Sequence, residues 1–180
     1  MALADKLQKI RLLALDVDGV LTDGTIYIGA EEELFKGFNA KDGLGISCAL
    51  RSGLFIAIIT GRRSQIIHRR AEELGISLLH EGVKDKYAEL RALADSLGLS
   101  QGQVAYMGDD LNDLAAFRAA GLRFAPSDAV SEVRLRADIV TDACGGRGAV
   151  REAIEMILRA QSVWAGLVEA YTGCGQGDKQ

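Results

Sequence analysis

Residues 12–24 read Leu-Leu-Ala-Leu-Asp-Val-Asp-Gly-Val-Leu-Thr-Asp-Gly. Four apolar residues run into an acid-x-acid-Gly turn. A run that is apolar at every position, not at alternate ones, is the signature of a parallel strand buried on both faces. Asp16 and Asp18 then fall just past a strand's carboxyl end, where open α/β sheets bind their ligands.

Similar runs follow along the chain. Leu54–Ile59 ends in Thr60, Ile76–His80 is weaker, and Gln103–Met107 ends in Gly108-Asp109-Asp110. Leu122–Ala125 and Asp138–Thr141 are short late strands. Helical spacing lies between them. Asp42 can cap a helix that stops at Gly53, Ser64 one that stops at Gly75, and Asp85 one that stops at Gly98; a last helix spans about 149–168. Glycine just past the last apolar position is the usual helix stop. This alternation predicts an α/β fold: a doubly wound, Rossmann-like, mostly parallel sheet with helices on both faces and right-handed crossovers. One segment departs from it. Residues 24–38 read as a projecting β-hairpin with its turn near Gly29-Ala30.

A chain of 180 residues is one domain, 1–180, with a polar, loose tail from about 172 to 180. The charge sum, 21 − 25 = −4, argues against a nucleic-acid groove. The longest apolar run, residues 54–59, is far below the roughly 20 residues that span a membrane. Three widely spaced cysteines, Cys48, Cys144 and Cys174, form no disulfide or zinc pattern and fit a reducing compartment. The expectation is a cytoplasmic protein with no nucleic-acid or membrane partner.

Three strand ends carry chemistry: Asp16 and Asp18, Thr60, and Asp109 with Asp110. A single carboxylate there could be a helix cap. Four converging carboxylates repel each other unless a cation lies among them, and an all-oxygen set suits Mg²⁺.

The ordered set Asp16–Gly24, Thr60-Gly61-Arg62, Lys86 and Gly108–Asp113 resembles the four motifs of the haloacid dehalogenase superfamily of phosphatases. The resemblance implies Asp16 as nucleophile, Asp18 as general acid and base, Thr60 as a phosphate ligand and Lys86 as the neutralising lysine. It implies Mg²⁺ held by Asp16, the Asp18 carbonyl and Asp109, with Asp110 or Asp113 orienting its waters. Lys84 lies near Lys86, but the spacing Gly82-x-x-Asp85-Lys86 matches the family at Lys86. Neither 23–60 nor 86–109 is long enough for a folded cap domain, so the subgroup is capless.

The hairpin, Phe38–Ile46 and Gly145–Val150 further resemble the 3-deoxy-D-manno-octulosonate 8-phosphate phosphatases, capless Mg²⁺-dependent enzymes of lipopolysaccharide sugar synthesis. That implies a homotetramer in which hairpins associate and neighbours close the site. It also implies a sugar phosphate bound by Asp18, Asn39, Ala40, Lys41, Asp42, Gly43, Arg62, Arg70 and Lys86. Arg62 and Arg70, eight apart, would share one side of a helix. Two departures bear on the substrate: family members often carry Arg at the position of Lys41 and a basic residue at that of Ser47. A nonulosonate (sialic-acid-like) 9-phosphate or another small sugar phosphate is the alternative substrate. A receiver-type signalling domain is disfavoured by motif order, a non-catalytic domain by the complete set of acids, and a phosphate-transfer mutase by the missing cap. Arg63, Arg69 and His68 read as surface, His80 as a neighbour of the site and Cys48 as core. Arg147 reads as a turn residue or a subunit contact, and Trp164, Leu167 and Tyr171 as core or docking patch.

Overall fold

The structure, a computed structural model, describes residues 2–30 and 33–173. In chain order these hold α1 (Leu3–Lys9), β1 (Leu12–Leu15), β2 (Tyr27–Ile28), β3 (Glu33–Phe35), α2 (Ala40–Arg51), β4 (Phe55–Ile59), α3 (Gln65–Leu74) and β5 (Leu78–His80). Then come α4 (Lys86–Ser96), β6 (Val104–Met107), α5 (Leu114–Ala119), β7 (Leu122–Ala125), α6 (Ser131–Arg134), β8 (Ile139–Val140), α7 (Ala149–Ala160) and α8 (Trp164–Gly173). The main sheet is parallel throughout, in the order β5-β4-β1-β6-β7-β8. The order reverses at β1, between β4 and β6, and this is where a doubly wound sheet opens a crevice.

Strand periodicity sorts the apolar residues into two cores. Leu13, Leu15, Ile56 and Ile58 face one side, under α2, α3, α7 and Trp164 of α8. Leu12, Ala14, Ala57 and Ile59 face the other, under α4, α5 and Val133 of α6. Both faces of β1 are thus covered, which is why its sequence is apolar without a break. The expected hairpin forms: β2 and β3 are antiparallel, Tyr27 lies opposite Phe35, and the two rings stack with centroids 4.1 Å apart.

Three readings change. The long last helix is broken at 161–163, where Ser162 takes φ 60 and Gln161 Nε2 donates to Ile10 O at 2.7 Å. Trp164 then restarts a helix, buried against the core and flanked by the guanidinium groups of Arg151 and Arg159. Tyr171 lies outside and bonds Arg51. The cap of α2 is Asn39, whose Oδ1 accepts from Lys41 N at 2.8 Å; Asp42 lies inside the helix. Arg62 precedes α3, so it and Arg70 do not share a helix face. Of the tail, residues 172–173 complete α8, and 174–180, with Cys174, lie outside the described residues.

Candidate active site

The carboxyl end of β1 delivers Asp16 into the crevice, anchored by its N–H on Met107 O at 3.1 Å. The chain then turns tightly, with the N–H groups of Val20, Leu21 and Thr22 all directed to Val17 O. Gly19 takes φ 86, and a Cβ there would lie 2.0 Å from Asp109 Oδ2. Only glycine lets the loop after β1 approach the loop after β6 this closely. Gly145 has a matching role below: its Cβ would meet Gly19 O at 1.8 Å. The 145–148 turn is pressed against the Gly19 loop, backbone on backbone, and Gly146 N donates to Val20 O at 2.9 Å.

Lys86 opens α4 and is buried. Its Nζ lies 2.9 Å from Asp16 Oδ1 and 2.7 Å from Asp113 Oδ1. Burial works against its charge, but Asp16 and Asp113 overcome this and raise its pKa. Lys84 is exposed. Asp113 is fully buried. Its Oδ1 also accepts from Tyr106 Oη at 2.7 Å, and its Oδ2 from the N–H groups of Asp109 and Asp110 at 2.9 and 3.3 Å.

Carboxylate oxygens of Asp16, Asp109 and Asp113 lie within 4.8 Å of one another. Burial, then the Asp113 charge, pushes the Asp16 carboxyl up to about 7. Burial, followed by Asp113 and Asp16, takes Asp109 up to about 8. Buried acids this close hold their charge at neutral pH when a cation joins Lys86 among them. The all-oxygen donor set fits Mg²⁺.

Asp110, expected at the metal, is exposed, and its Oδ1 accepts from Leu111 N at 2.7 Å; the third place in the cluster belongs to Asp113. The Asp18 side chain turns toward the hairpin, with Lys36 Nζ 2.5 Å from Oδ1 and Arg62 Nε 3.5 Å from Oδ2. Thr60 is buried at the end of β4, and its Oγ1 accepts from Arg62 N at 3.3 Å.

The residues expected at the sugar divide into two groups. Arg62 lines an open cleft with Arg63, Glu33 and the hairpin residues Ile26 and Ile28. Arg70 lines a different groove, with Ala40, Gly43 and Ser47. Its guanidinium lies over the Phe38 ring at 5.5 Å and pairs with Glu73 at 2.9 Å. Its Nε is buried with no hydrogen-bond partner. Asn39, Ala40 and Lys41 form the start of α2, and Lys41 is exposed. Asp42 departs from expectation: it is buried, and its oxygens accept from Gly148 N at 3.2 Å and Arg151 N at 2.8 Å. That carboxylate is committed to the first turn of α7, where a negative charge meets free N–H groups.

Sequence reasoning missed Lys36, because a lysine in a hairpin reads as a solvated charge. No local pattern marks it: it follows β3 directly, and its partners are Asp18 and Glu33. His80 pairs with Glu89 at 2.5 Å and His68 with Glu81 at 2.6 Å, neither in the carboxylate cluster. Exposed Arg147 lies 3.8 Å from Asp23.

The haloacid dehalogenase-like hydrolase family matches residues 76–154. The 3-deoxy-D-manno-octulosonate 8-phosphate phosphatase KdsC of Escherichia coli K12 is 47% identical over 156 residues, 87% of this chain and 83% of that protein. The crystal structure of the phosphatase of that name from Yersinia pestis superposes with a TM-score of 0.88 at 44% identity, over 91% of this chain and 88% of that one. The Moraxella catarrhalis phosphatase of that name, solved with magnesium, phosphate and KDO, gives 0.90 at 42% identity, over 93% and 97%. With these likenesses spanning nearly all of the described fold, the chain belongs to the 3-deoxy-D-manno-octulosonate 8-phosphate phosphatase family of haloacid dehalogenase-like hydrolases.

Proposed function

We propose that this chain hydrolyses 3-deoxy-D-manno-octulosonate 8-phosphate to the free sugar acid and phosphate, a step toward lipopolysaccharide precursors. The observation that carries this reading is Asp16, held by Lys86 beside Asp109 and Asp113, in a chain similar over nearly its whole length to a phosphatase solved with magnesium, phosphate and KDO.

Lys86 engages Asp16 Oδ1, which leaves Oδ2 to attack phosphorus. The bond from Asp16 to phosphorus forms as the ester bond to the sugar oxygen breaks, and Asp18 gives that oxygen a proton. Asp18 then takes a proton from water as the water oxygen displaces Asp16 from phosphorus. Thr60 offers its hydroxyl to a phosphate oxygen, and Gly19 leaves room for the N–H groups of its turn to approach. Asp16, the Asp18 carbonyl and Asp109 are the groups that would hold Mg²⁺; Asp113, whose oxygens are taken by Lys86, Tyr106 and two backbone N–H groups, would steady them from behind, and Asp110 lies on the rim. When bound, Mg²⁺ supplies the positive charge that lets an anionic carboxylate meet an anionic phosphate.

Asn39, Ala40, Lys41, Gly43, Arg62 and Arg70 remain the proposed sugar contacts. Arg62 and Arg70 serve them from separate grooves, so a neighbouring copy helps to join these. A homotetramer built on the hairpins is the proposed assembly. Ile28 is 77% exposed and Leu34 63%, an apolar surface that a partner would cover. The free thiols of Cys48 and Cys144 support the cytoplasm as the compartment. Lys41 and Ser47 favour one second reading, a nonulosonate 9-phosphate. Lys41 offers a point charge where a bidentate fork would grip a carboxylate more strictly.

The test is phosphate release, with and without Mg²⁺, from both sugar-acid phosphates and a hexose phosphate. Octulosonate preference of at least about a hundredfold in kcat/KM, about 2.7 kcal/mol, supports the assignment. A flat profile, or activity retained in Asp16→Asn, overturns it.

A further inference from the structure

Lys36 sits on the hairpin yet its side chain is only 1% exposed. Its Nζ bridges Asp18 Oδ1 at 2.5 Å and Glu33 Oε1 at 2.7 Å. Glu33 is fixed in turn, because its Oε2 accepts from Ser64 Oγ at 2.6 Å, and Ser64 N donates to Glu81 at 2.9 Å. A relay of charge and hydrogen bonds therefore runs from Asp18 through Lys36 and Glu33 to the loop that follows β4. The catalytic role proposed for Asp18 needs its carboxyl near the leaving oxygen. Its backbone belongs to the tight turn after β1, but that turn alone does not choose the side-chain rotamer. The partners that do are two cations from other elements, Lys36 on one oxygen and Arg62 on the other. Arg62 is more than half exposed and its contact is long, so Lys36 is the stronger constraint.

We propose that Lys36 is a positioning residue for the acid–base step: it reaches from the hairpin and holds the Asp18 carboxyl where it serves the leaving oxygen. The proposal rests on the phosphatase reading above. It ties the hairpin to the chemistry. A hairpin that shifts carries Lys36 with it, and Asp18 loses its register while Asp16, Lys86 and Asp113 keep theirs. Lys36 itself transfers no proton and need not touch substrate.

The leaving group separates this role from a structural one. A sugar or alkyl phosphate expels an alkoxide that needs a proton as it departs; 4-nitrophenyl phosphate expels a stable phenolate that does not. The ratio kcat/KM reads phosphoryl transfer to Asp16 for both. In Lys36→Met, kcat/KM for the sugar phosphate is expected to fall about 30- to 100-fold, at or just below the lower end of the usual contribution of a general acid, because Asp18 itself remains. That for 4-nitrophenyl phosphate is expected to fall only a few-fold. Lys36→Arg, which keeps a cation within reach of Asp18 and Glu33, is expected to restore most of the sugar-phosphate rate. Equal losses on both substrates would mean that Lys36 merely supports the fold, and no loss on either would mean that Asp18 needs no such hold; each result overturns the proposal. A wild-type protein inactive on both substrates would instead refute the phosphatase reading.

Discussion

Replacing Asp113 by Asn changes one buried atom and is expected to cost far more than the same change at Asp110. The Asp113 carboxylate accepts from Lys86 Nζ, Tyr106 Oη and two backbone N–H groups, with no exposed surface. Asn retains one oxygen for one pair of donors and turns an NH₂ toward the other pair. A buried donor left without an acceptor costs about 1–3 kcal/mol, so two cost about 2–6 kcal/mol. Removing a charge from beside Asp16 relieves part of this, because Asp113 raises the Asp16 pKa. A net loss of about 3–5 kcal/mol remains, the usual cost of breaking a buried ion pair. For a chain of this size each kcal/mol moves Tm by about 2–4 °C, giving a fall of about 6–20 °C. Asp110→Asn keeps a good capping side chain at an exposed site and should stay within about 0.5 kcal/mol of the parent. The assay is thermal unfolding of both variants in chelator and in saturating Mg²⁺. Mg²⁺ half-saturation should also rise at least about tenfold in Asp113→Asn. The reasoning fails if Asp113→Asn melts within about 2 °C of the parent, or if Asp110→Asn loses more.

Other perturbations probe separate parts of the frame. In Gly145→Ala the new Cβ would fall 1.8 Å from Gly19 O, so overpacking should cost about 1–3 kcal/mol in chemical denaturation and lower turnover through the Asp16–Gly24 loop; unchanged stability and rate would contradict that contact. Lys6 and Arg123 converge on Asp138, whose pKa they hold well below the usual range against the opposing effect of burial. A lowered folded-state pKa stabilises above the unfolded value, about 4, and that stabilisation is lost as pH falls below it. Asp138→Asn should therefore destabilise at pH 7, with the gap from the parent closing below about pH 4; a gap constant with pH would be inconsistent. Asp42→Ala should lower Tm by removing the acceptor of two N–H groups in the first turn of α7, at a cost of about 1–2 kcal/mol; an unchanged Tm would mean that α7 needs no such cap.

The parallel strands were legible because burial on both faces leaves a run with no polar position, as in Leu12–Leu15. The acids proposed for catalysis were legible because Asp16, Asp18 and Asp109 lie within three residues of the end of such a run. Side-chain destinations were harder to read. Asp42 looks like a cap for its own helix, yet its partners lie more than a hundred residues on. Asp110 and Asp113 share one short motif, and the 3-10 turn over Leu111–Asp113 decides which faces inward. Lys36 was invisible because its burial depends on Asp18 and Glu33 arriving from either side. Apolar spacing continues through Trp164 and Leu167, so nothing in the pattern marks the break at Ser162. Residues 114–119 and 131–134 make fewer than two helical turns each, too few for periodicity to register.

The clasp between Asp42 and the start of α7 also bears on how the chain comes into being. Synthesis runs from the amino end, and β1 with α2 emerges long before α7. Yet α7 covers the face to which Leu13, Leu15 and Ile46 belong, and it supplies the N–H groups that satisfy Asp42. A nascent chain that ends before residue 149 holds an uncovered apolar face and a buried-type carboxylate with no donors. Closure of that half must wait for the carboxyl-terminal quarter, so a ribosome stalled short of α7 carries a chaperone client and not a smaller enzyme.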